Sequence, residues 1–163
     1  MTTQAGICNI YAPGERKLRQ CLDHMRYPNL KDKWYSDTFF VKITSVRKNT
    51  CGQIFTNGLG FDIPYPLATT GDASLGLDKF IQDVGIPQVL ITNEVKEETL
   101  SAWLSTCQKY WIKMEQKVPY SQRRNLAEAS VRKLKYSICK ATHRSGSPRC
   151  LWCYCASWVT AIR

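Results

Sequence analysis

Acidic residues, histidines and long apolar runs are all scarce in this sequence, and each shortage narrows the kind of protein it encodes. The 163 residues contain 13 Asp and Glu against 23 Lys and Arg, which leaves a net charge of +10. No segment reaches the roughly 18 consecutive apolar residues of a membrane helix, so we predict no membrane span. The first residues lack a basic stretch leading into an apolar run, so we predict no secretory signal. We therefore expect an intracellular protein whose eight cysteines remain thiols.

The composition is that of a globular chain, with 44% hydrophobic and 22% charged residues. A chain of this length fits one domain that can bury a sizeable core. We divide it into a lead-in segment, 1–32, partly helical or irregular, and a domain over 33–163.

The positive charge is concentrated between Lys109 and Arg149, a stretch that contains only Glu115 and Glu128 as acidic residues. Clustered Lys and Arg bind polyanions because they neutralise phosphates and release counterions. The charge thus indicates a nucleic-acid partner. A basic surface that serves solubility alone is the alternative.

Apolar periodicity predicts an α/β protein with a mixed five-stranded sheet and helices on its faces. Asn57-Gly58 between two apolar runs predicts a hairpin. Pro64 and Pro66 restrict the third strand to an edge of the sheet. The predicted strands are 34–43, 53–56, 59–63, 89–92 and 112–120, and the predicted helices are 75–84, 97–110, 125–142 and 151–162.

Three positions far apart in the chain are candidates for one site. Asp37 lies inside the first predicted strand, Asn93 follows the fourth, and Glu128 lies in the long basic helix. Ligand-binding residues of α/β sheets gather at strand ends. We expect these three to converge if strands one and four are neighbours and the helix packs beside them.

Around these positions, 33–163 resembles the integrase catalytic core of LTR retrotransposons of the copia type, and more distantly retroviral integrases and DDE transposases. The interval from Asn93 to Glu128 is close to the D-D-35-E interval of that family. The resemblance implies a ribonuclease-H-like fold with strand order 3-2-1-4-5. It is carried by 33–40 (KWYSDTFF), 80–87 (FIQDVGIP), 90–93 (LITN), 118–121 (VPYS) and 125–129 (NLAEA).

The resemblance also implies a function, which is DNA integration by strand transfer. In the family, three carboxylates hold two Mg²⁺ or Mn²⁺ ions. Asp37 and Glu128 correspond to the first and third metal ligands and Asn93 to the second, so the implied catalytic residues are Asp37, Asn93 and Glu128. The implied partners are the DNA ends of the element and target DNA, with self-association a further option, and the implied location is the nucleus.

Asn93 departs from the family, which has Asp at this position. An amide oxygen brings no negative charge to a metal ion, so we expect severely impaired strand transfer with DNA binding retained. The alternative is a catalytically inactive nucleic-acid-binding or dimerisation remnant of a retrotransposon polyprotein.

Basic residues accompany Glu128 on one face of its helix, at helical spacing. Arg124, Arg132 and Lys135 are therefore the candidate nucleic-acid-binding residues, and two of them match DNA-contacting positions of retroviral integrases. The alternative interpretation is a solvated helix face with a single Glu–Arg pair.

The cysteines near the C-terminus suggest a different class, a zinc-binding module, through Cys150, Cys153 and Cys155. A closed zinc site needs four ligands, and no second pair stands at a suitable spacing. We therefore interpret these cysteines as small buried apolar residues. Since the family's upstream zinc module and C-terminal DNA-binding region have no counterpart in this sequence, we expect a fragment or degenerate copy of an element's polyprotein.

Overall fold

A computed structural model describes residues 27–92, 97–116 and 126–161. Five strands form one sheet in the order β3-β2-β1-β4-β5. β1 pairs antiparallel with β2 and parallel with β4, so the predicted strand order and the predicted neighbourhood of strands one and four are confirmed. The strands are β1 (Asn29–Phe40), β2 (Cys51–Asn57), β3 (Asp62–Leu67), β4 (Ile86–Thr92) and β5 (Lys113–Gln116).

Helices cover both faces of the sheet and divide the core into two clusters. The first cluster packs α1 and α2 against one face, where the Phe80 ring stacks on Phe55 at 4.5 Å and meets Trp34 edge-on at 4.8 Å. The second packs α3 and α4 against Phe39 and Ile54 on the other face. The helices are α1 (Ala73–Asp83), α2 (Glu97–Lys109), α3 (Leu126–Ser145) and α4 (Trp152–Ala161), with short 3-10 turns at Thr70–Asp72 and Arg149–Leu151.

The apolar stripe predicted for the long basic helix is confirmed. Val131 and Leu134 are buried, and Ile138 and Ala141 pack against the same cluster. The spacing of these four residues follows the turns of a helix, so they line one side of α3. That side rests on the sheet and leaves the charged residues along the flanks and the outer surface.

The hairpin between β2 and β3 exists, but the predicted two-residue turn is wrong. Residues 59–61 lie in the loop rather than in a strand, and β3 begins at Asp62. The side-chain oxygen of Asn57 accepts hydrogen bonds from the backbone amides of Leu59 and Phe61, both at 3.0 Å. Gly60 has a positive φ of +87°. An Asn side chain that captures backbone amides thus replaces the tighter turn. As predicted, the proline-containing β3 is an edge strand.

Other boundaries shift outward or inward by a few residues. β1 begins at Asn29, inside the predicted lead-in, and ends at Phe40 rather than at residue 43. β4 begins at Ile86 rather than at residue 89, so it includes Pro87. The Ile86 amide donates a hydrogen bond to the Pro28 carbonyl at 2.8 Å. α3 continues to Ser145, past the predicted end at 142. Across the described ranges, no helix is long and apolar enough to cross a membrane.

Candidate active site

Asp37 lies on the side of the sheet that α3 and α4 cover. Its partner in β2 is Ile54, and Phe39 is the next residue of β1 on the same side. Both Ile54 and Phe39 belong to the core formed with α3 and α4. Because paired residues and every second residue share a face, the Asp37 side chain is directed to that layer. It is half-buried, and one carboxylate oxygen accepts the Thr38 amide at 2.9 Å.

Glu128 lies in the first turn of α3, beside the residues that seat the helix on the sheet. Ala127 is fully buried, and the Ser130 hydroxyl lies 3.3 Å from the Thr56 hydroxyl, to which it donates. Thr56 pairs with Tyr35 of β1, so this end of α3 lies at the level of Tyr35 along the sheet. The side chain of Glu128 is 58% exposed on the flank of the helix.

Lys135 shows which flank of α3 carries Glu128. The two residues are seven positions apart and therefore lie on one side of the helix. Lys135 lines a cavity of about 390 Å³ together with Phe39 and Phe40, so this flank faces β1. Seven residues of helix span roughly 10 Å, about the length of three strand residues. This spacing predicts that Glu128 lies beside the part of β1 that holds Asp37.

The β4 end of the site is defined by the pairing of Thr92 with Ser36, the residue before Asp37. Asn93, which follows Thr92 in the chain, lies outside the described residues, and so does Arg124. The assignment of Asn93 as a catalytic position and of Arg124 as a DNA contact stays a prediction.

Arg132 forms an ion pair with Glu128, with 3.1 Å between Nη2 and Oε1. The side chains are 76% and 58% exposed. Exposed pairs of this kind contribute about 0–1 kcal/mol, so water or a phosphate can readily replace either partner. This pair is also what the interpretation of α3 as a solvated helix face anticipates. Lys135, two turns after Glu128, is exposed.

The described residues do not complete a two-metal site. Within them, no three His, Cys, Asp or Glu side chains gather where they could hold a metal ion. Asp37 and Glu128 are the carboxylates that the resemblance assigns to this site, and Glu128 pairs with Arg132. Mg²⁺ and Mn²⁺ favour several hard oxygen ligands that together bring negative charge. The residues present therefore fit the family's Mg²⁺ or Mn²⁺ pair poorly.

The C-terminal cysteines are distributed between the core and the surface. Cys153 is buried in the cluster formed by α3 and α4, whereas Cys150 and Cys155 are half-buried. Cys153 thus packs as a small apolar residue, in line with the interpretation from the sequence. Burial raises the pKa of the Cys155 thiol, which favours the protonated form over the metal-binding thiolate.

Two basic residues beside Lys135 were not among the candidates predicted from the sequence. Lys42 and Arg149 line the same cavity as Lys135. Lys42 belongs to the β1–β2 loop and Arg149 to the 3-10 turn before α4. The loop docks on α4 through a 2.9 Å hydrogen bond from Trp152 Nε1 to the Ile43 carbonyl. A Trp at the start of an apolar helix is a weak signal for such a contact, because its partner is a backbone atom far away in the chain.

Comparison with known proteins supports the fold and leaves the family open. No protein-family model matches the chain, and a search of curated proteins finds no match. The chain is similar to one in the cryo-EM structure of the simian T-cell lymphotropic virus intasome in complex with PP2A regulatory subunit B56 gamma, with a TM-score of 0.62 and 15% identity. The similarity covers 81% of this chain and 50% of the other, so this chain spans about half the length of its structural neighbour. At that identity the match shows the fold alone, which is an α/β fold of the ribonuclease-H-like kind.

Proposed function

We propose that the chain is the catalytic core of a retroelement integrase that binds DNA beside Asp37 and Glu128 and whose strand transfer is impaired by Asn93. One observation carries the proposal. Asp37 is directed to the side of the sheet that α3 covers, and Lys135, on the same flank of α3 as Glu128, lines a cavity with Phe39 and Phe40 of β1.

The DNA contacts of the proposal are phosphate contacts along this flank. Arg132 and Lys135 continue the row that starts at Glu128, and Lys42 and Arg149 extend it past the end of β1. Arg and Lys bind phosphate oxygens through charge-assisted hydrogen bonds. The weak Glu128–Arg132 pair can open when DNA supplies a phosphate, since the exchange leaves the guanidinium paired.

The catalytic part of the proposal rests on how few carboxylates the site offers. A pair of divalent ions would supply Lewis-acid chemistry at a phosphodiester, but the residues present fit such a pair poorly. Asp37 and Glu128 are the residues that would hold them, and Asn93 would add an amide in place of a third negative charge. We therefore expect weak Mg²⁺ or Mn²⁺ binding and strand transfer well below that of a site with three carboxylates.

Binding of a fluorescein-labelled DNA duplex, followed by anisotropy at several salt concentrations, tests the DNA contacts. Replacing Arg132 and Lys135 by Glu weakens binding and lowers the salt slope by roughly one for each phosphate that is no longer neutralised. The matched control replaces Lys31 and Lys79, which are exposed lysines away from this flank, with Glu. An equal weakening in the two double variants would show that only net charge matters and would refute the proposed contacts.

Strand transfer of Asn93→Asp, compared with the native chain in Mn²⁺, tests the catalytic part. We expect the substitution to raise activity and Asp37→Asn to abolish it again. Equal activity with Asn and Asp at position 93 would show that the position is not the missing ligand.

The second candidate function is an inactive nucleic-acid-binding remnant. It is favoured by the Glu128–Arg132 ion pair, which already neutralises one of the two carboxylates. An Asn93→Asp variant that binds DNA normally and transfers no strand, with Arg132→Gln in the same chain giving no rescue, would support this candidate over the first.

A further inference from the structure

A groove with a cavity volume of about 780 Å³ lies on the surface between the C-terminal half of α3 and α4. It lies at the opposite end of α3 from Glu128, so it is separate from the candidate active site. Its apolar lining includes Ala141, Leu151 and Val159, and the Trp158 indole beside them is 57% exposed. An indole left this open on an apolar groove is typical of a binding surface.

The charged side chains along this groove are cationic. Lys140 and Arg144 line it from successive turns of α3, and no Asp or Glu is found among the described residues that line it. On the α4 side, the Tyr154 ring is in contact with the Arg47 guanidinium. Arg47 Nε donates a hydrogen bond to the Tyr154 hydroxyl at 2.9 Å, and the guanidinium lies 4.4 Å from the ring centroid. Both edges of the groove thus present positive charge around an apolar floor.

We infer that this groove binds an amphipathic helical segment of a partner protein, with apolar side chains packed beside Trp158 and acidic side chains next to Lys140 and Arg144. A groove between two helices fits the helix-in-groove mode of recognition, in which one apolar stripe supplies affinity. The cationic edges select an acidic partner, because a basic one would meet like charges. This interaction is independent of the proposed DNA site.

Two other occupants fit the observations less well. A second copy that docked symmetrically through this same groove would bring its own Lys140 and Arg144 against those of the first. Single-stranded nucleic acid binds by stacking bases on open aromatic faces. Here Arg47 covers a face of Tyr154, and Lys140 lies 6.0 Å from the centroid of the Tyr136 ring, so cations already occupy ring surface that bases would need.

A display library of helical peptides tests the inference on the full chain. Every peptide carries one fixed stripe of Leu, and its flanking positions are randomised among Glu, Gln and Lys. We expect selection to enrich Glu on the flanks. A selected peptide, labelled with fluorescein, should bind Trp158→Ala at least roughly 30-fold more weakly, as expected for a hot-spot residue. It should bind the double variant Lys140→Glu, Arg144→Glu about 10-fold more weakly, with a smaller dependence on salt.

Matched controls separate the groove from general effects. Trp111→Ala removes another exposed indole, 70% exposed in the turn between α2 and β5, and should leave binding unchanged. Circular dichroism confirms that each variant is folded. Enrichment of neutral or Lys-flanked peptides, or unchanged binding by Trp158→Ala, would overturn the inference. Two further results would also overturn it. If the native chain binds oligothymidine, or forms a dimer in sedimentation, and Trp158→Ala removes that binding or that dimer, the groove has a different occupant.

Discussion

Gly52 lies opposite Phe39 in the pairing of β1 with β2, and the Phe39 ring covers the space that a larger side chain would need. A Cβ added at Gly52 would lie 2.5 Å from Cζ and 2.8 Å from Cε1 of that ring, and 3.0 Å from the Tyr65 carbonyl oxygen. Real Cβ atoms do not approach other atoms so closely. Gly52→Ala therefore has to displace Phe39, which is buried and packs edge-on against Trp152 at 6.1 Å.

Two opposing contributions set the size of the effect of Gly52→Ala. Overpacking a buried site costs about 1–3 kcal/mol. Alanine in a strand recovers about 0.5–1 kcal/mol, because the unfolded chain has less conformational freedom to lose than with glycine. Subtracting these ranges gives a net loss of about 0–2.5 kcal/mol, and their midpoints give about 1 kcal/mol. For a chain of this size a loss of about 1 kcal/mol corresponds to a fall in Tm of roughly 2–4 °C.

A double-mutant cycle identifies the cause. Phe39→Leu removes the two ring atoms that the new methyl group would strike, so Gly52→Ala should become neutral or stabilising by up to about 1 kcal/mol in that background. Thermal and urea unfolding of the four chains measure the coupling. A Gly52→Ala chain as stable as the native one would refute the reasoning, and so would an equal cost of the substitution with Phe and with Leu at position 39.

Three further predictions concern the packing and the thiols. Trp152→Phe keeps an aromatic ring but loses the hydrogen bond to the Ile43 carbonyl. It should lower the free energy of unfolding by about 0.5–1.5 kcal/mol and speed hydrogen exchange in the β1–β2 loop. Unchanged exchange would show that this hydrogen bond does not hold the loop on α4. Leu134→Ala should cost about 2–5 kcal/mol in urea unfolding because Leu134 is fully buried, and a loss below about 1 kcal/mol would contradict its place in the core. Burial raises the pKa of the Cys107 thiol from 9.0 to about 12, so its contribution to stability is present below pH 9 and is lost as the pH rises towards 12. Cys107→Ala should flatten that decline, and iodoacetamide mapped by mass spectrometry should label exposed Cys139 before Cys107.

Some features of individual strands were predictable because they depend on residues that are local in the sequence. Pro64 and Pro66 have no N–H to donate, so their strand suits an edge. The short apolar run that ends at Thr92 suits a strand that is covered on both faces of the sheet. The resemblance to integrase cores added the order 3-2-1-4-5, which the structure confirms. The bounds were less predictable. β1 extends back to Asn29 because β4 is there to pair with it, and that pairing is not a property of either segment alone.

The candidate site likewise has features that were predictable from the sequence and features that were not. The types and spacing of Asp37, Asn93 and Glu128 were readable in the sequence, and so was the loss of one negative charge at Asn93. The orientation of Glu128 was not, because a helix flank acquires a direction only when its apolar stripe is seated on a sheet. The pair between Glu128 and Arg132, in contrast, follows from their i, i+4 spacing and was anticipated from the sequence.

The sequence by itself determined the class of fold, the excess of positive charge and the chemistry that position 93 can supply, since these depend on residue type and local periodicity. Only the tertiary structure decided which charged residues are neighbours. Lys42 joins Lys135 and Arg149, and Arg47 reaches Tyr154, because the β1–β2 loop docks on α4. Such contacts join residues about a hundred positions apart, and they arise from the packing of whole elements, which no local pattern encodes.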